Sequence, residues 1–194
     1  SDGLLHLAVP ASTNYDIWNT NRSLRVTQPV ADQDFEAEAR FLSVPSQKYQ
    51  TQGILVEQDT DNWLRFDVHS TGSKLRVFAA KTVAGSSSTL FATTITAGPE
   101  VQLRLDRTGD TWTLDYSTDG NTWTTAGTAT HSLTANRIGP FASNGSPYPA
   151  FTADIDWFID TANPEPDPDP EYTLQTDVNG QGSITASPDQ ATYP

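Results

Sequence analysis

The side chains best suited to chemistry lie on one face of three short strands that are predicted between Gly53 and Ala80. Apolar residues alternate there with charged and aromatic ones, which is typical of strands that bury one face. Turn-forming clusters at 59–62 and 70–73 separate the three runs. The face opposite the apolar one is expected to carry Glu57, Trp63, Arg65, Asp67, His69 and Arg76. These groups can either exchange hydrogen bonds with a polar ligand or pair with one another across an exposed sheet.

Aromatic rings in polar surroundings are a second set of candidates. Trp18, Tyr49 and Tyr148 fall in polar loops, and Trp63 belongs to the polar face just described. Such rings can stack on the C–H faces of a sugar, and they can equally anchor a loop, so both interpretations stay open. Rings in phase with the apolar positions are instead expected to be buried in the core, namely Phe35, Phe41, Phe66, Trp112, Tyr116, Phe151 and Trp157.

The remaining sequence indicates an all-β chain. Strict alternation predicts a strand over 34–41, with Phe35 to Phe41 inward, and another over 151–159, with Phe151 to Ile159 on one face. The strongest local signal is a hairpin over 111–124, whose Asp119-Gly120 pair suits a tight β-turn. No segment of ten or more residues shows helical periodicity.

Charge and composition restrict the partners. The chain has 194 residues, 24 acidic and 11 basic side chains, and a net charge of −13, which argues against nucleic acid or an anionic membrane as the partner. No apolar run approaches the roughly 20 residues of a membrane span, so no membrane insertion is expected. The absence of cysteine leaves neither disulfides nor a thiolate metal site.

The composition changes abruptly after Asp160. Residues 161–171 alternate proline with acidic or amide residues, which predicts an extended linker of about 3 Å per residue. Residues 172–194 then begin a new segment, too short to fold alone. Its ending, GQGSITASPDQATYP, resembles the opening of small β-repeat modules found in tandem on bacterial and archaeal surface proteins. We therefore expect residues 172–194 to be the incomplete beginning of a second domain, and neighbouring domains to be partners of residues 1–160.

Several segments of residues 1–160 resemble one family. The strongest are the DNW turn within QGILVEQDTDNWLRF, the SxDGxxW hairpin within VQLRLDRTGDTWTLDYSTDGNTW, and the IGPFASN segment. SDGLLHL, the Asp16-Ile17-Trp18 loop, DFEAEARF and FTADIDWF agree in order. Together they are similar to concanavalin A-like jelly-roll modules of the DUF1349 type, which are related to C-terminal domains of some family 43 glycoside hydrolases. The resemblance implies a two-sheet antiparallel jelly-roll (LamG-like) sandwich in a secreted or cell-surface multidomain protein, and it implies no particular sugar.

The sequence does not carry a recognisable catalytic arrangement. Related jelly-roll glycanases place carboxylates as E-x-D-x-x-E, because retaining hydrolysis needs two carboxyl groups about 5 Å apart. The nearest imitation, Asp154-Ile155-Asp156, lacks a glutamate. His6, His69 and His131 are isolated, with no nucleophile elbow and no H-E-x-x-H pattern. We expect no catalytic residues and no enzymatic activity.

A metal site is harder to place. Asp59-Thr60-Asp61-Asn62 begins like a calcium loop, but Trp63 follows where a ligand should stand, and the glycine and terminal glutamate of an EF-hand are missing. The pattern therefore favours a tight turn. A structural calcium ion held between loops by carbonyls and an aspartate is compatible with this fold, and the sequence leaves its ligands unknown.

Two segments match the N-glycosylation acceptor pattern. They are Asn21-Arg22-Ser23 and Asn144-Gly145-Ser146. The pattern is short and occurs by chance, so the sequence leaves open whether either asparagine is modified.

Two functions are compatible with these observations. The first is a non-catalytic carbohydrate-binding module of an extracellular or cell-surface protein, with a polysaccharide or glycan as ligand. The second is a structural module of an adhesin, surface layer or filament, which would assemble with copies of itself through edge strands. For the first function, the predicted ligand-binding residues are Trp18, Glu57, Trp63, Arg65, Asp67, His69, Arg76 and Tyr148.

Overall fold

The computed structural model describes residues 3–160 and shows an all-β domain of thirteen strands. No helix within these residues is long and apolar enough to cross a membrane. The predicted linker over 161–171 and the predicted second domain over 172–194 lie outside the described residues. The strands are β1 (Leu5–Val9), β2 (Leu24–Arg25), β3 (Gln28–Pro29), β4 (Phe35–Phe41), β5 (Thr51–Glu57), β6 (Trp63–Ser70), β7 (Leu75–Val83), β8 (Ser86–Ile95), β9 (Val101–Thr108), β10 (Thr111–Ser117), β11 (Thr124–Thr130), β12 (Arg137–Ser143) and β13 (Phe151–Asp160).

The strands form two antiparallel sheets. The six-stranded sheet has the order β1-β13-β4-β9-β10-β11, and the seven-stranded sheet has the order β2-β12-β5-β6-β7-β8, with β3 also paired to β12. Every strand pairing is antiparallel. The predicted all-β, two-sheet antiparallel sandwich is therefore confirmed.

The inner faces of the two sheets enclose one apolar core. Alternation along β4 buries every second residue from Phe35 to Phe41, as predicted. Trp112 on β10 joins the sheets: its ring stacks on Phe66 of β6 at 5.9 Å between centroids and meets Phe35 edge-on at 6.0 Å. The indole N–H of Trp112 donates to the carbonyl of His131 at 2.8 Å, so the buried ring leaves no donor unsatisfied.

A bulge in β13 changes which side chains face the core. Ile155 pairs with Phe41, but Trp157 pairs with Arg40, so one extra residue, Asp156, is inserted between the paired positions. Because side chains alternate along a strand, the insertion moves Trp157 and Ile159 to the outer face. The prediction that these two residues are inward is wrong: Ile159 is 50% exposed, Trp157 is only partly buried, and Phe158 packs on the core in their place.

The predicted hairpin is formed by β10 and β11, and its turn is closed by one carboxylate. Asp119 accepts hydrogen bonds from the backbone N–H of Asn121 at 2.9 Å and of Thr122 at 2.7 Å. The hydroxyl of Ser117 donates to the same carboxylate at 3.0 Å. These donors hold the pKa of Asp119 at about 2, with the contribution of Thr122 the largest.

Asp119→Asn is expected to reduce the acid sensitivity of the domain. The folded-state pKa of about 2 lies below the ordinary value of 3.8. The ionised carboxylate therefore stabilises the fold above about pH 4, and this contribution is lost as the pH falls toward about 2. Melting temperatures measured by circular dichroism between these pH values should fall less in Asp119→Asn than in the wild type. Parallel curves would contradict the assigned role of the turn.

The sheets end in short or polar edge strands. At one side of the sandwich β8 and β11 are the edges, and the hydroxyl of Thr93 donates to the carbonyl of Ala126 across them at 2.8 Å. At the other side the edges are β1 and the short strands β2 and β3. Assembly of copies through these edges stays a prediction.

Candidate functional site

Four residues of β6 point away from the core, as the alternation predicted. Trp63, Arg65, Asp67 and His69 alternate with Leu64, Phe66 and Val68, which lie in the core. We call the outer side of the seven-stranded sheet around these four residues the polar face. Register places Thr51 and Arg76 on either side of His69, and Gly53 and Phe78 on either side of Asp67.

The polar face is not open to solvent over its whole length, because a segment formed by residues 10–22 lies across it. The backbone N–H of Asn19 donates to the hydroxyl of Ser87 at 2.8 Å, and the backbone N–H of Ser87 donates to Oδ1 of Asn19 at 2.8 Å. Asn144 donates through Nδ2 to the carbonyls of Pro10, at 3.4 Å, and Thr13, at 3.1 Å. We call residues 10–22 the covering segment.

Trp63 is buried beneath the covering segment. Its side chain is 1% exposed and forms a small second apolar cluster with Ile17, Leu55 and Phe141. The expectation that Trp63 is an available ring is therefore wrong. Its alternation with core residues gave the correct side of the sheet, but the apolar Ile17 of the covering segment packs on that side and excludes water.

Glu57 also lies outside the predicted site, because it contacts other residues. Its carboxylate pairs with Nε of Arg25 at 3.1 Å and accepts from Nδ2 of Asn21 at 3.1 Å. It lines a separate groove of about 790 Å³ with Arg25 and Arg137, at the end of the sheet where β2 and β3 pair with β12. Arg25, which supplies this partner, comes from outside the three strands on which the prediction was based.

A cavity of about 430 Å³ opens on the part of the polar face that remains accessible. Its volume is within the range of about 300–1,000 Å³ of small-ligand sites. Arg65, His69 and Phe78 form its floor, and loops form its walls. Two rings stand at its rim, Trp18 with 38% exposure and Tyr49 with 42%. The other lining residues are Asp16, Thr51, Ser143, Asn144, Gly145 and Ser146.

Asp67 holds the two polar groups of the floor in place. Its side chain is 0% exposed, with one oxygen 3.0 Å from Nε of Arg65 and the other 3.2 Å from Nδ1 of His69. The first contact is not aligned as a hydrogen bond, so it acts as an ion pair. Gly53 makes the room for this carboxylate: a Cβ at Gly53 would lie 2.6 Å from Cβ of Asp67.

Aromatic contacts fix the orientation of the same groups. The guanidinium carbon of Arg65 lies 4.9 Å from the ring centroid of Phe78 and 5.9 Å from that of Trp18. His69 meets Phe78 edge-on at 5.1 Å between centroids. Among the described residues, neither Nη of Arg65 nor Nε2 of His69 has a hydrogen-bond partner. The floor therefore presents donor and acceptor capacity to whatever enters the cavity.

The structure places the last two predicted residues outside the cavity lining. Arg76 is the cross-strand neighbour of His69 but does not line the cavity. Tyr148 has a positive φ of 59°, and it contacts the covering segment through its backbone: its carbonyl accepts from the N–H of Ser12 at 2.9 Å. Of the two loop rings that the sequence suggested as a stacking wall, Trp18 lines the cavity and Tyr148 does not; the second ring at the rim is Tyr49.

Residues 143–146 also line the cavity, which was not predicted from the sequence. Asn144 is buried and uses its whole amide: Oδ1 accepts from the N–H of Tyr15 at 3.0 Å, and Nδ2 donates to Pro149 at 3.1 Å as well as to the covering segment. This burial leaves Asn144 unavailable as a glycosylation acceptor in the folded domain. The IGPFASN segment of the sequence contains this asparagine, whose hydrogen bonds connect two loops.

No metal site is apparent in the described part of the chain. Residues 3–160 contain no group of three or more His, Cys, Asp or Glu side chains that could hold an ion. The carboxylate of Asp59 accepts from the backbone N–H groups of Asp61 and Asn62, both at 2.8 Å, and from the amide of Asn62. These donors, Asp61 first, lower the pKa of Asp59 and account for the segment as a turn. A structural calcium ion elsewhere in the chain stays a prediction.

These features define a β-sandwich module with a partly covered polar cavity on the outer side of one sheet. Residues 9–148 match the family described as "Protein of unknown function (DUF1349)", so the chain belongs to that family. No curated protein sequence matches it.

Solved structures share the fold. The GH43 BlXynB protein from Bacillus licheniformis superimposes with a TM-score of 0.67 and 22% identity, over 82% of this chain and 33% of that one. A xylan beta-1,4-xylosidase from Bacillus halodurans gives a TM-score of 0.62 and 17% identity, over 81% of this chain and 32% of that one. A functionally unknown protein from Saccharomyces cerevisiae gives 0.65 and 19%, over 84% and 90% of the two chains. The chain thus spans about a third of the two Bacillus proteins.

Proposed function

We propose that residues 1–160 are a non-catalytic carbohydrate-binding module, and that a sugar binds in the cavity bordered by Trp18 and Tyr49. The observation that carries this proposal is the combination of two half-exposed rings at the rim with the Arg65 and His69 side chains on the floor, whose Nη and Nε2 atoms have no hydrogen-bond partner among the described residues. An apolar cavity would suit a hydrophobic ligand. A floor whose polar atoms were all paired within the protein would offer a ligand no hydrogen bonds. A ligand with C–H faces and hydroxyl groups uses both parts of the site.

The floor is suited to hydroxyl groups in particular. A guanidinium group offers planar paired donors. Since Nδ1 of His69 faces the Asp67 carboxylate at 3.2 Å, a neutral His69 carries its proton on Nδ1 and leaves Nε2 as an acceptor. Arg65 can therefore donate to one hydroxyl oxygen while His69 accepts from a neighbouring hydroxyl. The ion pair and the aromatic contacts hold both groups before the ligand arrives, which lowers the entropic cost of binding.

The comparisons support a carbohydrate context. Two of the proteins that share this fold are named as a GH43 protein and a xylosidase, and each is about three times as long as the matched region. We therefore propose that this domain accompanies other domains in an extracellular or cell-surface protein, with a polysaccharide or glycan as partner. The candidate carboxylates of β13 suit this non-catalytic role, because Asp154 pairs with His6 at 2.7 Å and Asp156 pairs with Arg40 at 2.8 Å.

Trp18→Ala is expected to weaken glycan binding about tenfold or more, the loss that corresponds to about 1.4 kcal/mol. Trp18 supplies the one indole among the described residues that line the cavity, and its ring centroid lies 5.9 Å from the guanidinium carbon of Arg65. Its removal therefore takes away both a stacking face and part of the support of the floor. A panel of plant, algal and microbial polysaccharides should first identify the ligand, and isothermal titration calorimetry should then compare the proteins. Trp123→Ala is the matched control, because Trp123 stacks on Arg104 of the six-stranded sheet.

Two outcomes would contradict the proposed function. The first is a wild-type domain that binds no glycan of the panel, with or without added calcium. The second is a glycan whose affinity falls with Trp123→Ala but not with Trp18→Ala, which would place the ligand on the other sheet.

A further inference from the structure

We propose that the cavity selects uncharged sugars over uronic acids and other anionic sugars, and that Asp67 sets this selectivity. The inference rests on the proposed function and names the class of ligand. It follows from the charges that surround the cavity rather than from its shape.

The guanidinium group on the floor of the cavity is already compensated. Arg65 is the basic side chain that would attract a ligand carboxylate, but a carboxylate oxygen of Asp67 lies 3.0 Å from its Nε. Asp67 is 0% exposed, so water does not screen its charge effectively. An anionic group that reaches Arg65 therefore also meets the field of Asp67, and the attraction and the repulsion largely cancel.

A second carboxylate stands in the wall. Asp16 lines the cavity, and its Oδ1 accepts from the backbone N–H of Trp18 at 2.8 Å, which keeps the acidic group beside the rim ring. The nearby cations Lys48 and Arg76 do not line the cavity; Lys48 instead lies over the ring of Tyr49 at 4.8 Å from its centroid. Within the lining, the negative charge of Asp16 is added to a floor whose ion pair sums to zero.

Desolvation acts in the same direction. A carboxylate loses strong hydration when it enters a partly enclosed site, and a cation that is already paired replaces that hydration only in part. A neutral hydroxyl group loses far less and can still accept from Arg65 or donate to His69. The arrangement therefore favours hydroxyl-rich uncharged sugars, while a floor with Arg65 alone would favour uronic acids.

Asp67→Asn tests the inference because asparagine has nearly the same shape without the charge. The probes are glucose, galactose and mannose oligosaccharides, each paired with the same oligosaccharide oxidised to a uronic acid at the primary hydroxyl of its terminal residue. In titration calorimetry the wild type is expected to prefer the uncharged member about tenfold or more. Asp67→Asn is expected to reduce this preference at least tenfold by strengthening the binding of the uronic acid.

Asp16→Asn provides a second variant that does not disturb buried groups, since an asparagine oxygen can still accept from the N–H of Trp18. It should reduce the preference about threefold, less than Asp67→Asn because Asp16 is partly exposed. Asp106→Asn removes a charge from the outer face of the six-stranded sheet and should leave the preference unchanged, which controls for the net charge of the chain.

The outcomes separate this inference from the proposed function. A wild-type domain that binds the uronic acid as tightly as the uncharged sugar overturns the selectivity and leaves the carbohydrate-binding function intact. A preference that neither Asp16→Asn nor folded Asp67→Asn reduces also overturns it. If Asp67→Asn does not fold, the result with Asp16→Asn decides. Absence of binding to every probe and to every polysaccharide of the panel is a failure of the proposed function itself. A domain that binds an acidic polysaccharide of the panel but none of the uncharged probes overturns the selectivity.

Discussion

Replacing Trp112 with alanine is expected to lower the free energy of unfolding by about 3–5 kcal/mol, the usual cost of removing a buried tryptophan. The side chain is fully buried between the sheets and touches Phe66 on one sheet and Phe35 on the other. The guanidinium of Arg107 lies 4.9 Å from its ring centroid, so the substitution also removes a cation–π contact. Neighbouring strands can close such a cavity only partly, because both sheets are held by their own hydrogen bonds.

Urea denaturation followed by circular dichroism measures this loss, with Trp123→Ala as the matched tryptophan control. Trp123 is partly exposed on the outer face, and we expect its removal to cost less than about 1 kcal/mol. Similar losses for the two variants would mean that Trp112 does not join the sheets as described.

Gly53→Ala is expected to have the second large effect, because it disturbs both the packing of the fold and the geometry of the site. A Cβ at Gly53 would lie 2.2 Å from the carbonyl oxygen of Phe66 and 2.6 Å from Cβ of Asp67. Both contacts involve the central strand β6, so its backbone must move, at a cost of about 1–3 kcal/mol. The movement also displaces Asp67, and with it the Arg65 and His69 groups that this carboxylate positions. We expect Gly53→Ala to lose stability and glycan affinity together.

Gly109→Ala is the control for this prediction. Gly109 has a positive φ of 58° and no atom within 4 Å of its added Cβ, so the variant tests backbone strain without a steric clash. It should lose some stability and keep wild-type affinity. A Gly53→Ala protein that unfolds at the wild-type urea concentration would show that β6 adapts freely, contrary to the tight packing described.

The strand phases could be predicted from the sequence where alternation alone determines them. In β4 and β6 each strand is regular from end to end, so the pattern of apolar residues gives the buried face directly. In β13 the pattern of Trp157 and Ile159 continues the same alternation, yet both side chains lie outside. The cause is the extra residue Asp156, whose position depends on pairing with β4. A local sequence pattern does not specify how strands that are distant in the sequence pair.

The site was predictable to a similar extent. Arg65, Asp67 and His69 share a face because they share a strand, and Trp18 stood out as a ring in a polar loop. Nothing local indicated that Ile17 would cover Trp63, a contact between residues far apart in the sequence. The error at Trp63 arises from a contact made by a loop over the sheet, and the error at Glu57 arises from its ion pair with Arg25 of β2. The side of the sheet on which each residue of β6 lies was correct.

The most direct test of the proposed site uses the five tryptophans of the chain as reporters. In a 15N-labelled sample each indole N–H gives one NMR signal, assigned by single substitutions, and a glycan identified in the panel is titrated in. We expect the signal of Trp18 to shift most, while those of Trp112 in the core and of Trp123 and Trp157 on the outer face of the six-stranded sheet stay in place. Saturable shifts of Trp123 or Trp157 with an unmoved Trp18 would contradict the proposed site.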